Sequence, residues 1–282
     1  MRIAPGGPFD LEKSFSPEVE RNIKSLYGLD KPLVIQYLIY LKNICTLDLG
    51  YSFTYLNRPV SRIILGSFKV SLLLGSCALL IALIAGSLCG ILSALKKGKA
   101  IDLFFFSFSL FGVSIPSIIL GPLLVLIFGL WLKVLPVAGW GSFSNVILPS
   151  ITLAAIYSSF IARIVRASFL ENIDKDYVKT ARGMGMGEGK VIFKYVLRGS
   201  LLPLISYLGP AFAGIITGSL VVERIFGING LGEHFVQSAL NRDYTLALGT
   251  VVFYSSILLI VNLLCDVLYM VVDPRIEYEK AN

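Results

Sequence analysis

Five long runs almost free of charge, at 70–95, 103–130, 146–167, 201–222 and 246–271, constrain this chain more than anything else in it. A helix rises about 1.5 Å per residue, so about 20 apolar residues cross the hydrocarbon layer of a bilayer. Within that layer every backbone N–H and C=O must find its partner in the same segment, which selects helices. The runs therefore predict an all-α, polytopic transmembrane protein of about five spans. Composition agrees: charged residues make up 15% of the chain and mean hydropathy is +0.77, whereas soluble domains carry about 25% charged residues.

The net charge of +7 could suggest a nucleic-acid partner. However, the basic residues cluster in loops beside the spans, without a basic, aromatic-interleaved face, so membrane topology accounts for them and nucleic acid is excluded. The inner loops, the end of the third span and the tail hold thirteen Lys or Arg, including Lys96, Lys97, Lys99, Arg166, Lys175, Arg182, Lys194 and Arg275. The short outer loops hold three: Lys133, Arg224 and Arg242. Basic loops stay on the cytoplasmic side, which places the C-terminus inside. Five spans then put residues 1–62 outside, and export of so charged a tail calls for a preceding helix. A first helix is thus expected to be missing from this chain.

Three regions follow: an extracytoplasmic stretch, 1–62; a membrane domain, 63–272; and a cytoplasmic tail, 273–282. In the first, Ser16-Pro17-Glu18 reads as a helix entry, with a serine cap before proline, and Gly28 as its stop. A second short helix, from about Pro32 to Ile44, is too polar and too short to span. Along the first span Ala78, Ala82, Gly86 and Gly90 recur every fourth residue, a small-residue stripe that lets another helix approach, most simply within the chain. The second span contains Ser114, Pro116, Ser117 and Pro122, so a proline kink is expected there. Trp131 and Trp140 bracket a short outer loop, and the outer loop between the last two spans covers 223–243. Cys45, Cys77, Cys89 and Cys265 show neither CxxC nor metal-like spacing, and His234 reads as an exposed loop residue. No metal or cofactor is implied.

The basic segment at 174–190 is too long for a bare turn, since helix connections take about 2–8 residues. If it is helical, Ala181 and Gly185 share one face. With Thr180 they would form a small-residue patch open to close approach by another surface.

In order along the chain stand Arg2-Ile3-Ala4-Pro5-Gly6-Gly7-Pro8, Asp48-Leu49-Gly50-Tyr51-Ser52, Ser114-Ile115-Pro116-Ser117 and Leu135-Pro136-Val137-Ala138-Gly139-Trp140. They are followed by Asp176-Tyr177-Val178-Lys179-Thr180-Ala181-Arg182-Gly183-Met184-Gly185, Glu223-Arg224-Ile225-Phe226, Arg242-Asp243-Tyr244 and Asp273-Pro274-Arg275. In these stretches the chain resembles the inner-membrane permease subunit of bacterial ABC importers for oligopeptides, dipeptides and nickel. The resemblance implies a type I importer permease fold, usually of six spans, in the bacterial inner membrane. It implies a non-catalytic subunit that forms half of a translocation path. Its partners would be a second homologous permease, two ATP-binding subunits and an extracytoplasmic substrate-binding protein. The chain has no GxxxxGK[ST] loop of its own. Asp176, Tyr177, Thr180, Ala181 and Gly185 match the family's ATPase-coupling loop; within the family, the cargo could also be a nickel chelate or glutathione.

Ser114, Pro116 and Ser117 could line the path or simply pack at a kink. Asn262 and Asp266, one turn apart in the last span, could serve the path or hydrogen-bond a neighbouring helix. A secondary transporter or channel using Asp266 is the alternative from another class. It predicts gradient-driven movement without an ATPase, and the chain shows no inverted repeat to support it.

Overall fold

The computed structural model describes residues 30–46, 48–55 and 57–272. The helix expected at Ser16–Glu18, its stop at Gly28, the first matching motif and the tail motif Asp273-Pro274-Arg275 lie outside the described residues. Among the described residues all regular structure is helical, apart from one isolated bridge between Tyr51 and Pro59. The helices are α1 (Leu33–Cys45), α2 (Val60–Leu95), α3 (Ala100–Ser114), α4 (Ser117–Leu124), α5 (Phe143–Ile173), α6 (Asp176–Gly183), α7 (Glu188–Val191), α8 (Leu197–Gly218), α9 (Leu220–Ile225), α10 (Leu231–Leu240) and α11 (Tyr244–Val272). The chain divides into two units, Met1–Val70 with Asn229–Ser255, and Ser71–Ile228 with Ser256–Asn282.

In the first unit Val60, Ile64, Leu231 and Leu246 are buried together, flanked by Leu49, Tyr55, Phe68 and Phe253. Asp243 ties the loop of residues 51–55 to the start of α11. One carboxylate oxygen accepts from the Leu246 N–H at 3.1 Å and caps the helix, while the other accepts from the Ser52 hydroxyl and from the Thr54 N–H at 3.1 Å. The region expected to be one outer loop at 223–243 is thus mostly helical. His234 lies half-buried on α10 rather than exposed in a loop.

In the second unit the small-residue stripe does what its spacing predicts. Ala78, Ala82, Gly86 and Gly90 are all buried. A Cβ on Gly86 would stand 2.7 Å from the Ser158 carbonyl oxygen of α5, and one on Gly90 2.7 Å from that of Ala162. Only hydrogen at these positions allows α2 and α5 to approach so closely. α5 also packs against α3, α4 and α8, which makes it the central helix of this unit.

Four helical runs are long and apolar enough to cross a membrane: Val60–Leu95, Phe143–Ile173, Glu188–Ile225 and Tyr244–Val267. The first three outrun the apolar windows because helical hydrogen bonding continues into charged sequence beyond the lipid. α5, with 31 residues, is about 46 Å long, well over the thickness of the hydrocarbon layer. The expected continuous second span is instead a pair, Ala100–Ser114 and Ser117–Trp131, bent by 105°. Ile115 is extended (φ −105°, ψ 112°), as residues before proline tend to be, and Pro116 is extended too (ψ 142°). Two consecutive extended residues interrupt the helix outright, so the chain turns sharply where a kinked helix would only lean. Beyond Pro122 the second limb relaxes into π-helical turns over Val125–Trp131.

Candidate functional site

The segment between α5 and α8 is a helical platform with a built interior. α5 ends with Asn172 donating to the Ser168 carbonyl (2.8 Å) and accepting from the Tyr177 hydroxyl (2.6 Å), which holds the first turn of α6 against the end of α5. Asp176 sits in the first turn of α6, where its charge suits the helix dipole. It also receives Lys179 at 3.1 Å, while the Thr180 hydroxyl turns back onto the Asp176 carbonyl.

α6 stops through a Schellman cap. The Met186 N–H reaches the Ala181 carbonyl, the Gly185 N–H reaches that of Arg182, and Gly185 lies in the left-handed region at φ +75°. A side chain at Gly185 would meet nothing within 4 Å, so glycine is required there for backbone conformation and not for internal space. Arg182 then grips Glu188 with two hydrogen bonds (2.6 and 3.1 Å), fixing α6 to α7. Hydrogen bonding to Glu188 raises the Arg182 pKa further, and hydrogen bonding to Glu171 does the same for Lys175.

Beneath this surface Val178 and Ala181 of α6 are fully buried with Ala94 of α2, Phe169 of α5, and Val191 and Val196. The shared face expected for Ala181 and Gly185 is therefore not formed. Ala181 points into the chain's own core, and Gly185 lies past the helix end on the outside. The open face instead carries Tyr177, Lys179, Thr180, Gly183, Met184 and Gly185, with Met184 64% exposed. Met184 is absent from the patch that the sequence spacing predicts. The Gly-Met-Gly-Met-Gly pattern does carry the signal, because a turn puts alternate residues on opposite sides: Met184 goes outward and Met186 packs inward.

Behind the platform a polar knot joins three helices. Arg166 of α5 binds Asp102 of α3 through two hydrogen bonds (3.0 and 3.1 Å) and also donates to Ser93 of α2 at 2.8 Å. Asp102 further accepts from Ser93 and from the Gly98 N–H at 2.9 Å. Asp102 is buried and hydrogen-bonded on both oxygens, and no local sequence signal marks it, because Arg166 lies 64 residues away.

Ser114 donates to the Leu110 carbonyl of its own helix (3.0 Å), and Pro116 and Ser117 form the break and open α4. Asn262 packs where a Cβ on Gly209 of α8 would come within 2.8 Å of its side-chain oxygen, while Asp266 is exposed. Glu223, placed in a loop by the sequence, is fully buried in α9 and accepts from the hydroxyls of Ser71 (2.7 Å) and Ser219 (2.6 Å).

A family model described as the binding-protein-dependent transport system inner membrane component matches residues 86–278. The oligopeptide transport system permease protein OppB of Haemophilus influenzae is 43% identical over 280 residues, covering 99% of this chain and 92% of the relative. The dipeptide transport system permease protein DppB of Bacillus subtilis is 41% identical over 280 residues, covering 99% of this chain and 91% of the relative. Among solved structures, the inward-facing MetNI methionine ABC transporter matches with a TM-score of 0.63 at 17% identity, over 75% of this chain and 96% of that one. An amino acid ABC transporter matches with a TM-score of 0.58 at 18% identity, over 74% of this chain and 94% of that one. At such identities these two speak for the fold alone, which is that of ABC importer transmembrane subunits.

Proposed function

Because the chain belongs to the family of binding-protein-dependent transport system inner membrane components, we propose that it admits peptides through a path driven by a separate ATPase docked on α6 and α7. The chain is a membrane-spanning permease subunit of an ABC importer. The peptide cargo is supported by its oligopeptide and dipeptide relatives. The family implies work alongside a further permease, an ATPase and a substrate-binding protein; two ATP-binding subunits per importer is part of the proposal. The chain contributes no catalysis of its own in this reading.

One observation carries the coupling assignment: the buried cluster under α6 joins it to the ends of α2 and α5 and to the turns leading into α8. Force applied to the open face at Thr180, Met184 and Gly185 would reach several membrane helices at once. Tyr177 and Asp176 hold the first turn in place, and Ala181 transmits from beneath. Ser114, Pro116, Ser117, Asn262 and Asp266 are kept as path candidates, with the broken helix as the element that could move.

The same reading orients the chain. The basic residues Lys96, Lys97 and Lys99 and those of the α6–α7 platform fall on one side only if the bent pair α3–α4 counts as a single crossing. The charge rule favours that outcome, with the platform and the C-terminus cytoplasmic. A gradient-driven carrier is disfavoured, since the matched relatives and folds are parts of ABC importers. The test is uptake of labelled trialanine by liposomes holding the chain with its co-purified partners. Uptake that requires ATP and stops with vanadate is expected; accumulation against a gradient by the chain alone would overturn the reading.

A further inference from the structure

In the first unit a cavity of about 190 Å³ opens between the head of α2 and α10, lined by Tyr55, Arg58, Arg62, Ile63, Ser67 and His234 among others. It holds two guanidiniums. Among the described residues neither the Arg58 nor the Arg62 guanidinium has an ion-pair or hydrogen-bond partner, and both residues are exposed. In the proposed orientation they also stand at the outer end of α2, where the charge rule depletes Lys and Arg. Two unpaired arginines kept on that side and set in a concavity are groups available to a ligand.

The surroundings specify its chemistry. Arg62 lies in the first turn of α2, whose N-terminal dipole favours negative charge. A guanidinium matches a carboxylate fork to fork. Ile63 and the ring of Tyr55, which meets His234 edge-on at 5.6 Å, supply apolar walls. Burial lowers the His234 pKa, opposed by the adjacent Glu233, so the imidazole adds no third positive charge at neutral pH. The volume holds on the order of six waters, enough for a carboxylate on a short stem and too small for a whole oligopeptide.

We propose that this cavity is a carboxylate subsite, with Arg62 and Arg58 gripping a single carboxylate-bearing residue. That residue is either the terminal residue of an incoming solute or an acidic side chain of an extracytoplasmic protein. The location outside the membrane rests on the proposed orientation; the chemistry does not. The test uses the full chain in phosphatidylcholine nanodiscs and three probes: trialanine, acetyl-Ala-Glu-Ala-amide and trialanine amide. Binding of one of the two carboxylates about tenfold tighter than the amide is expected, with the preference lost in Arg58→Ala/Arg62→Ala and partly kept in Arg62→Lys. A preference for trialanine assigns the subsite to solute, and a preference for the glutamyl probe assigns it to a protein side chain. Equal affinity for all three probes, or a preference that survives the double substitution in a variant with unchanged thermal unfolding, overturns the proposal. Equal affinity is what arginines that merely anchor in lipid headgroups would give. No ATPase enters this measurement, so its failure leaves the import reading standing, and failure of ATP-driven uptake leaves the subsite standing.

Discussion

Arginine serves two different ends in this chain. Around the α6–α7 platform four cations are tied into internal structure: Arg182 to Glu188, Lys179 to Asp176, Lys175 to Glu171 and Arg166 to Asp102. At the head of α2, Arg58 and Arg62 have no such partner among the described residues. The difference teaches that a basic stretch is not itself a contact surface. On the platform the paired charges shape the segment and a mostly neutral face is left to meet a partner, while in the cavity the charges themselves are on offer.

The largest expected effect separates shape from surface on the platform. Gly185→Asn keeps a residue that tolerates the left-handed region but adds a side chain to the open face. It should cut peptide-stimulated ATP hydrolysis by about tenfold or more, roughly 1.4 kcal/mol of coupling, while the protein inserts and unfolds normally. Full coupling in that variant would mean the open face is not where the ATPase sits, and the contrast between the two regions would lose half its content.

Next comes the knot. Arg166→Met leaves the buried Asp102 charge without its cation, at a cost of about 3 kcal/mol, visible as a lower unfolding midpoint in detergent. Arg166→Met with Asp102→Leu should recover much of that loss, because no charge is then stranded. A single variant as stable as the wild type would show that this arginine is not structural.

Ala181→Leu probes the same distinction from beneath. It should cost about 1–3 kcal/mol through overpacking, since the residue faces the core; a loss of coupling without loss of stability would return Ala181 to the surface patch. The smallest effects close the series. Arg182→Ala should cost less than about 1 kcal/mol, as exposed ion pairs do, and Arg58→Ala should change unfolding by no more than about 0.5 kcal/mol. A large destabilisation by Arg58→Ala would mean that this side chain is structural after all.

Hydropathy and charge act locally and add up along the chain, so the sequence alone determined the membrane class, the approximate number of spans, the small-residue stripe of Ala78, Ala82, Gly86 and Gly90, and the place of the platform between two apolar runs. The tertiary structure decided what depends on partners far away in sequence. It turned the kink expected at Pro116 into a break, because Ile115 and Pro116 are extended together. It faced Ala181 inward onto Phe169 and Ala94 and left Met184 outward, joined Arg166 to Asp102, and buried Glu223 beneath two serine hydroxyls. A residue's neighbours across a packed interior are set by how whole helices fit together, and no window along the chain contains that information.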